Sequence, residues 1–386
     1  MARAKSFFDQ YTADLTSADL QRLFTRETPE AYRYFTRGVD TRELDRGPWY
    51  RRWVIKTRII FAAFTMRLSP ARRVLYGVAL ASTLLGVLML FEGFGTSRVL
   101  LFPFSFPFPT PQWVDGTLWL VLGFVAVNLL ILMEVADRLS LKGDLEIARD
   151  IQLAMLPSGV REAGDAVVAG VTRPANTVGG DFYDVLPLPD GRLVVTLGDV
   201  AGKGSPAALL MALLLAMLRT LVDEGLESAR LVARLNAQVA RNSPASLFIT
   251  LFYGVYDPAT GSLQYVNAGH LPPVLRRADG SFERVGGAGT SGLALGMFEQ
   301  ATYESHSVSI GPGDVLVLFS DGITEAEDAS GRAFEESGLE HVVAGHAESR
   351  PDNLGRTVLA AVERHAGNMK LADDLTALVL KRMPSA

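Results

Sequence analysis

Cysteine is absent from this chain of 386 residues, which excludes disulfides, thiolate metal ligands and a cysteine nucleophile together. Histidine is scarce, with five in all, so a metal centre built here draws on oxygen before imidazole, the preference of Mg²⁺ or Mn²⁺ rather than zinc. Basic residues do not outnumber acidic ones. The formal net charge is −5, and no overall positive field points to nucleic acid. Residues 1–14 lack the apolar core and small-residue cleavage pattern of a signal peptide. The remaining composition suits a folded chain of roughly two to three domains.

Long apolar runs are few, and two of them stand out. Residues 74–91 follow Arg72 and Arg73, and residues 117–135 form a second nearly uncharged stretch. Each is about long enough to cross a hydrocarbon core of roughly 30 Å. Arg51, Arg52, Lys56, Arg58, Arg67, Arg72 and Arg73 precede the first run, whereas the connector carries little beyond Arg98. That asymmetry predicts a cell-membrane protein with two spans and both termini cytoplasmic. The prolines of the connector, Pro103, Pro107 and Pro109, forbid a continuous helix there, and its phenylalanines suit the headgroup level. A third run, 207–218, is about twelve residues and reads as too short to span, hence a buried helix, with Ser205 as N-cap, Pro206 at the first position and Gly225 closing the end.

These signals divide the chain into four parts. Residues 1–70 form an N-terminal cytoplasmic or interfacial helical region, in which 49–68 reads equally as an amphipathic helix at the inner leaflet or as a helix packed in a small domain. Residues 71–136 carry the two spans and their Phe/Pro-rich connector. Residues 137–157 form a helical linker ended by Pro157, with Ile147, Ile151 and Ala154 on one face, able to pair with its twin in a homodimer or to pack on its own domain. Residues 158–386 form a separate domain of another pattern.

In that domain, 193–197 and 315–319 are short apolar runs rich in β-branched and aliphatic residues, and 376–380 is another. Residues 248–256 and 263–267 flank the turn Asp257-Pro258-Ala259-Thr260-Gly261, a hairpin signal. Amphipathic helices are predicted over 229–239 and 354–365. Hairpins with helices grouped between strand pairs predict an α+β fold of two antiparallel sheets flanked by helices.

Five acidic motifs stand at the ends of these runs: Gly179-Gly180-Asp181-Phe182-Tyr183-Asp184, Gly198-Asp199-Val200-Ala201-Gly202-Lys203-Gly204, Asn267-Ala268-Gly269-His270, Phe319-Ser320-Asp321-Gly322 and Ala372-Asp373-Asp374-Leu375-Thr376. An unpaired buried carboxylate costs several kcal/mol, of order, unless a cation or donors compensate it, so their placement points to a metal. Glycines beside them allow close backbone approach. His270 fits either an acid acting on a leaving alkoxide or a buttress of the metal loops. Lys203, ahead of a helix N-terminus, fits an anion contact or a solvated surface lysine.

Taken in order, the motifs resemble those of the metal-dependent PPM, or PP2C-like, serine/threonine phosphatases, and more closely their bacterial SpoIIE and RsbU type, which regulates sigma factors. The resemblance runs from about residue 145 to 381. It implies a four-layer α/β/β/α sandwich and two Mn²⁺ or Mg²⁺ ions held by Asp181, Asp199, the Val200 carbonyl, Asp321 and Asp373, with Asp374 as an accessory. It further implies hydrolysis of phosphoserine or phosphothreonine on a partner protein, an anti-sigma factor antagonist of STAS type. The arginine by which such enzymes contact the phosphate has no clear counterpart, with Arg173 as the candidate. Gly179-Gly180-Asp181 also suggests the diguanylate cyclase signature, but the residues that should follow are absent. A catalytically silent receptor that uses a phosphatase-like domain only for binding is the rival from another class; all four metal aspartates are nevertheless retained.

Overall fold

The structure is a computed structural model that describes residues 50, 61, 65, 68–92, 94–101, 104–111, 114–244, 246–286, 289–367 and 369–384. The region expected over 1–70, including the amphipathic stretch 49–68, therefore lies almost wholly outside the described residues. The chain divides into two compact units, residues 1–139 and 140–386.

In the first unit, α1 (Pro70–Glu92) is followed by β1 (Phe94–Leu101), β2 (Phe104–Pro111) and the start of α2 (Val114–Met155). The two helices meet at small residues. A Cβ on Gly116 would lie 2.6 Å from the Gly86 carbonyl, and one on Gly123 would lie 2.3 Å from Thr83 Oγ1. Close backbone approach of this kind replaces the hydrophobic drive that helices lack in lipid. Arg72 closes the same pair of helices with an ion pair to Asp137 at 2.7 Å. Most other side chains on both helices face outward, among them Val74, Leu84, Phe124 and Leu132. Both are long and apolar enough to cross a membrane, with hydropathies of 1.8 and 2.3.

Two features add to the expectation. The connector is a β-hairpin, with Pro109 opposite Thr96 and Pro107 opposite Arg98. A two-stranded ribbon has only edges, where a missing N–H is tolerated. The second span and the linker, expected to divide at 136, are one helix of 42 residues. Nothing between them breaks helix: strong formers continue and the next proline is Pro157.

The second unit begins with the end of α2 and continues through β3 (Val160–Ala163), β4 (Ala166–Arg173), β5 (Phe182–Pro187), β6 (Leu193–Val200), α3 (Ser205–Asp223), α4 (Ser228–Asn242), β7 (Ile249–Asp257), β8 (Ser262–Ala268), β9 (Val274–Arg276), β10 (Phe282–Arg284), β11 (Ser291–Gly292), β12 (His306–Ser309), β13 (Val315–Phe319), α5 (Asp321–Thr324), α6 (Glu335–Gly345), α7 (Pro351–Ala366) and β14 (Leu375–Arg382). One sheet has the order β10-β9-β13-β14-β4-β3 and the other β11-β8-β7-β6-β5, with β12 also on β8. Pairing is antiparallel except for the two-residue β11–β8 contact.

Strand alternation assigns the layers. Leu316, Leu318, Leu378 and Leu380 enter the core shared with the second sheet, α3 and α4. Their alternates Val315, Val317, Phe319, Ala377 and Val379 pack with Leu339, Val343, Val358 and Val362 of α6 and α7. This is the expected sandwich, helices outside and sheets inside.

The third apolar run is corrected in its extent. α3 has 19 residues, enough to span by length and composition. What identifies it as a domain helix is packing: Ala207, Leu210, Met211, Leu214, Leu215 and Leu218 are buried against the sheet. Its N-cap is Gly204 at φ 77°, not Ser205, and Gly225 at φ 68° follows its end.

Candidate active site

The GGD motif is shaped by what lies against its glycines. A Cβ on Gly179 would fall 2.1 Å from Asp374 Oδ2, and one on Gly180 would fall 2.9 Å from both Asp199 Oδ1 and the Val200 carbonyl oxygen. Only glycine lets these oxygens come so close. Asp374, the residue just before β14, accepts hydrogen bonds from the N–H groups of Ala175 and Gly180, each at 2.8 Å. Asp374 therefore fastens the loop, while its neighbour Asp373 lies at the cleft, so the two carboxylates of the pair serve different sides of the bend that precedes β14.

Asp199, Asp321 and Asp373 line one open cleft of about 450 Å³, together with Glu325, Lys203, Phe248, Thr250 and His270. Asp181 does not line it. It lies buried beneath, and its Oδ2 has no hydrogen-bond partner. Burial, and then the Asp199 carboxylate, push the Asp181 pKa well above the usual carboxylate range. Asp199 is raised to about 7 by burial and by the charges of Asp321 and Asp373. Asp321 is raised by burial, by Asp373 and by Glu325. Repulsion of this kind is what a divalent cation held among these carboxylates would offset.

Among the described residues, no three carboxylate or imidazole groups are drawn together closely enough to grip an ion outright. The oxygens nonetheless fit a hard divalent ion. Asp181 Oδ2 is orphaned, the space above Gly180 is bounded by a carboxylate and a carbonyl oxygen, and every donor is oxygen. One Asp373 oxygen is held by Lys203 Nζ at 2.8 Å.

The remaining candidates separate clearly. His270 is buried, its Nδ1 shares a hydrogen bond with Thr250 Oγ1 at 3.0 Å, and Asn267 bonds both its N–H and its carbonyl. Burial lowers its pKa to about 4, so it is neutral near pH 7 and suits the buttress, not the acid. Arg173 pairs with Glu363 and lines a different hollow, with Met369 and Leu371, and it is not among the residues that line the cleft. Phe182 and Tyr183 are packing residues, with Tyr183 Oη donating to the Pro157 carbonyl at 3.1 Å.

Two contacts were missed from the sequence. Gln152, in the penultimate turn of α2, grips Gly179 at both ends: its Nε2 donates to the Gly179 carbonyl at 2.8 Å and its Oε1 accepts from the Gly179 N–H at 3.1 Å. Arg219 of α3 bridges buried Asp184 at 2.7 Å and the Met155 carbonyl at 2.6 Å. Asp184 stood within a quoted motif; Gln152 carried no signal beyond a polar residue on a helix.

Comparison with known proteins bears on the family and the fold. The family model described as stage II sporulation protein E (SpoIIE) matches residues 189–383. The chain is 29% identical over 243 residues to phosphoserine phosphatase RsbU of Bacillus subtilis, covering 63% of this chain and 71% of that protein. Among solved structures, the SiaA-PP2C domain of Pseudomonas aeruginosa superposes with a TM-score of 0.56 at 21% identity, over 64% of this chain and 98% of the domain. The PP2C phosphatase domain of SpoIIE from Bacillus subtilis, with a fragment of its regulatory domain, gives a TM-score of 0.50 at 19% identity, over 59% and 64%. These likenesses show the PP2C fold.

Proposed function

The chain belongs to the SpoIIE family of PP2C-type serine/threonine phosphatases, and on that premise we propose that it is a metal-dependent, membrane-anchored enzyme acting on a cytoplasmic phosphoprotein. The observation that carries the reading is the cleft in which Asp199, Asp321 and Asp373 face one another above the buried Asp181, whose Oδ2 has no hydrogen-bond partner. Asp181, Asp199, the Val200 carbonyl, Asp321 and Asp373 would hold two Mn²⁺ or Mg²⁺ ions. Such a pair, when bound, lowers the pKa of a water and offsets phosphoryl charge, which hydrolysis of a phosphomonoester demands.

The protein's own groups do the positioning. Asp374 and Gln152 hold the Gly179-Gly180 peptide so that Asp181 stays buried under Asp199. Thr250 and His270 brace the Asp199 loop, with the Asp199 N–H donating to Thr250 Oγ1 at 3.3 Å. No side chain in the cleft is a cysteine or an exposed histidine, so a direct attack by water is favoured over a covalent intermediate on those groups.

The substrate proposed is phosphoserine or phosphothreonine of a STAS-type anti-sigma factor antagonist, a reading supported by the likeness to RsbU. α1 and the first part of α2 are long and apolar enough for two spans, and the Lys and Arg residues ahead of the first, set against a connector with little beyond Arg98, support cytoplasmic ends. Ile147 and Ile151, exposed on α2, support a homodimer through that helix. The test is phosphate release from phosphorylated candidate partners by the full chain in detergent, with and without Mn²⁺, beside Asp181→Asn. Release that needs both the ion and Asp181 is expected; release indifferent to either would refute the reading.

A further inference from the structure

Among the residues lining the cleft, Lys203 is the one Lys or Arg. It stands between Gly202 at φ 109° and Gly204 at φ 77°, so the backbone turns sharply on both sides of it. Its Nζ donates to the Ala372 carbonyl at 2.6 Å and to Asp373 Oδ2 at 2.8 Å, while its side chain is 56% exposed.

A phosphomonoester would bring about two negative charges into a space that already holds Asp199, Asp321, Asp373 and Glu325. Arg173, the arginine expected to meet that charge, is engaged elsewhere. Resting on the phosphatase reading, we propose that Lys203 is the side chain that binds the substrate's phosphoryl oxygens, exchanging Asp373 for phosphate. The exchange suits both partners. Asp373 cannot serve an ammonium and a divalent ion with the same oxygen, and a lysine on a long, exposed stem can turn toward an incoming anion at little cost in packing. The competing role is a tether that only holds the 372–373 segment in place.

The two roles separate by measuring binding as well as turnover. Binding of inorganic phosphate and of Mn²⁺ to the full chain in detergent is followed by calorimetry for wild type, Lys203→Gln and Lys203→Arg. Loss of a charge-assisted hydrogen bond should weaken phosphate binding to the Mn²⁺-loaded Lys203→Gln protein about tenfold or more and raise KM for a phosphoserine peptide comparably. Mn²⁺ affinity should be unchanged or tighter, and Lys203→Arg should keep most of the phosphate binding. Unchanged phosphate binding, or weaker Mn²⁺ binding without it, would overturn the assignment. If Lys203→Gln does not fold, Lys203→Met is read in its place. A wild type that binds phosphate yet releases none from phosphoserine would refute the phosphatase reading instead.

Discussion

At the scale of the residue, the site depends on glycines and on one carboxylate that faces away from the cleft. Asp374 holds two backbone N–H groups of the loop that carries Asp181. Asp374→Ala should therefore lower Mn²⁺ affinity about 10- to 100-fold, the usual effect of removing a group that orients ligands, as read by calorimetric titration. Asp199 gives a pH test. With its pKa in the metal-free fold raised to about 7 from an ordinary 3.8, it contributes stability that is complete below pH about 4 and is lost as pH rises through about 7. His270, lowered to about 4, acts in the opposite sense, losing its contribution as pH falls from about 6.5. Comparing wild type with Asp199→Asn in EDTA isolates Asp199. The variant should melt several degrees higher at pH 8, with the gap closing by pH 4; a gap independent of pH would contradict the assigned burial. The roles within the Asp373-Asp374 pair were open in the sequence, because two adjacent carboxylates in a bend read alike until their distant partners, the Ala175 and Gly180 N–H groups for Asp374 and Lys203 for Asp373, are known.

At the scale of the element, the end of α2 is fastened to the catalytic loop by Gln152, which satisfies both polar groups of Gly179. Gln152→Ala should raise the Mn²⁺ concentration for half-maximal activity about tenfold, whereas Gln152→Glu, which keeps only the acceptor, should fall between, as measured by Mn²⁺ titration of phosphate release. Equal curves for all three would show the clamp to be idle. Strands were the most legible elements: 315–319 matched β13 residue for residue, because its apolar character stops abruptly at Ser320-Asp321. Helix ends were less so. Ser205 reads as a cap, but Gly204 takes the φ that only glycine adopts readily and so holds the capping position. Gln152 lies among Asp144, Glu146, Arg149 and Asp150, so periodicity places it with a solvent face; its partner is 27 residues away, and no local pattern encodes that. The pairing of Arg173 is illegible for a related reason: its place at the end of β4, opposite Leu375, sends it toward α7 and Glu363, far along the chain.

At the scale of the whole molecule, apolar length alone nominates three helices, and only packing removes α3 from the set. The full chain is expected to sediment with membranes and to need detergent for release, whereas residues 140–386 should remain in the supernatant; recovery of that fragment in the membrane pellet would count against anchoring by α1 and α2. The claim on which the rest depends is that four aspartates from distant motifs share divalent cations. Its most direct measurement is calorimetric titration of Mn²⁺ into the metal-free full chain and into Asp181→Asn and Asp321→Asn. Saturable binding that is weakened or lost in each variant is expected; no binding by wild type, or the same isotherm for all three proteins, would contradict it.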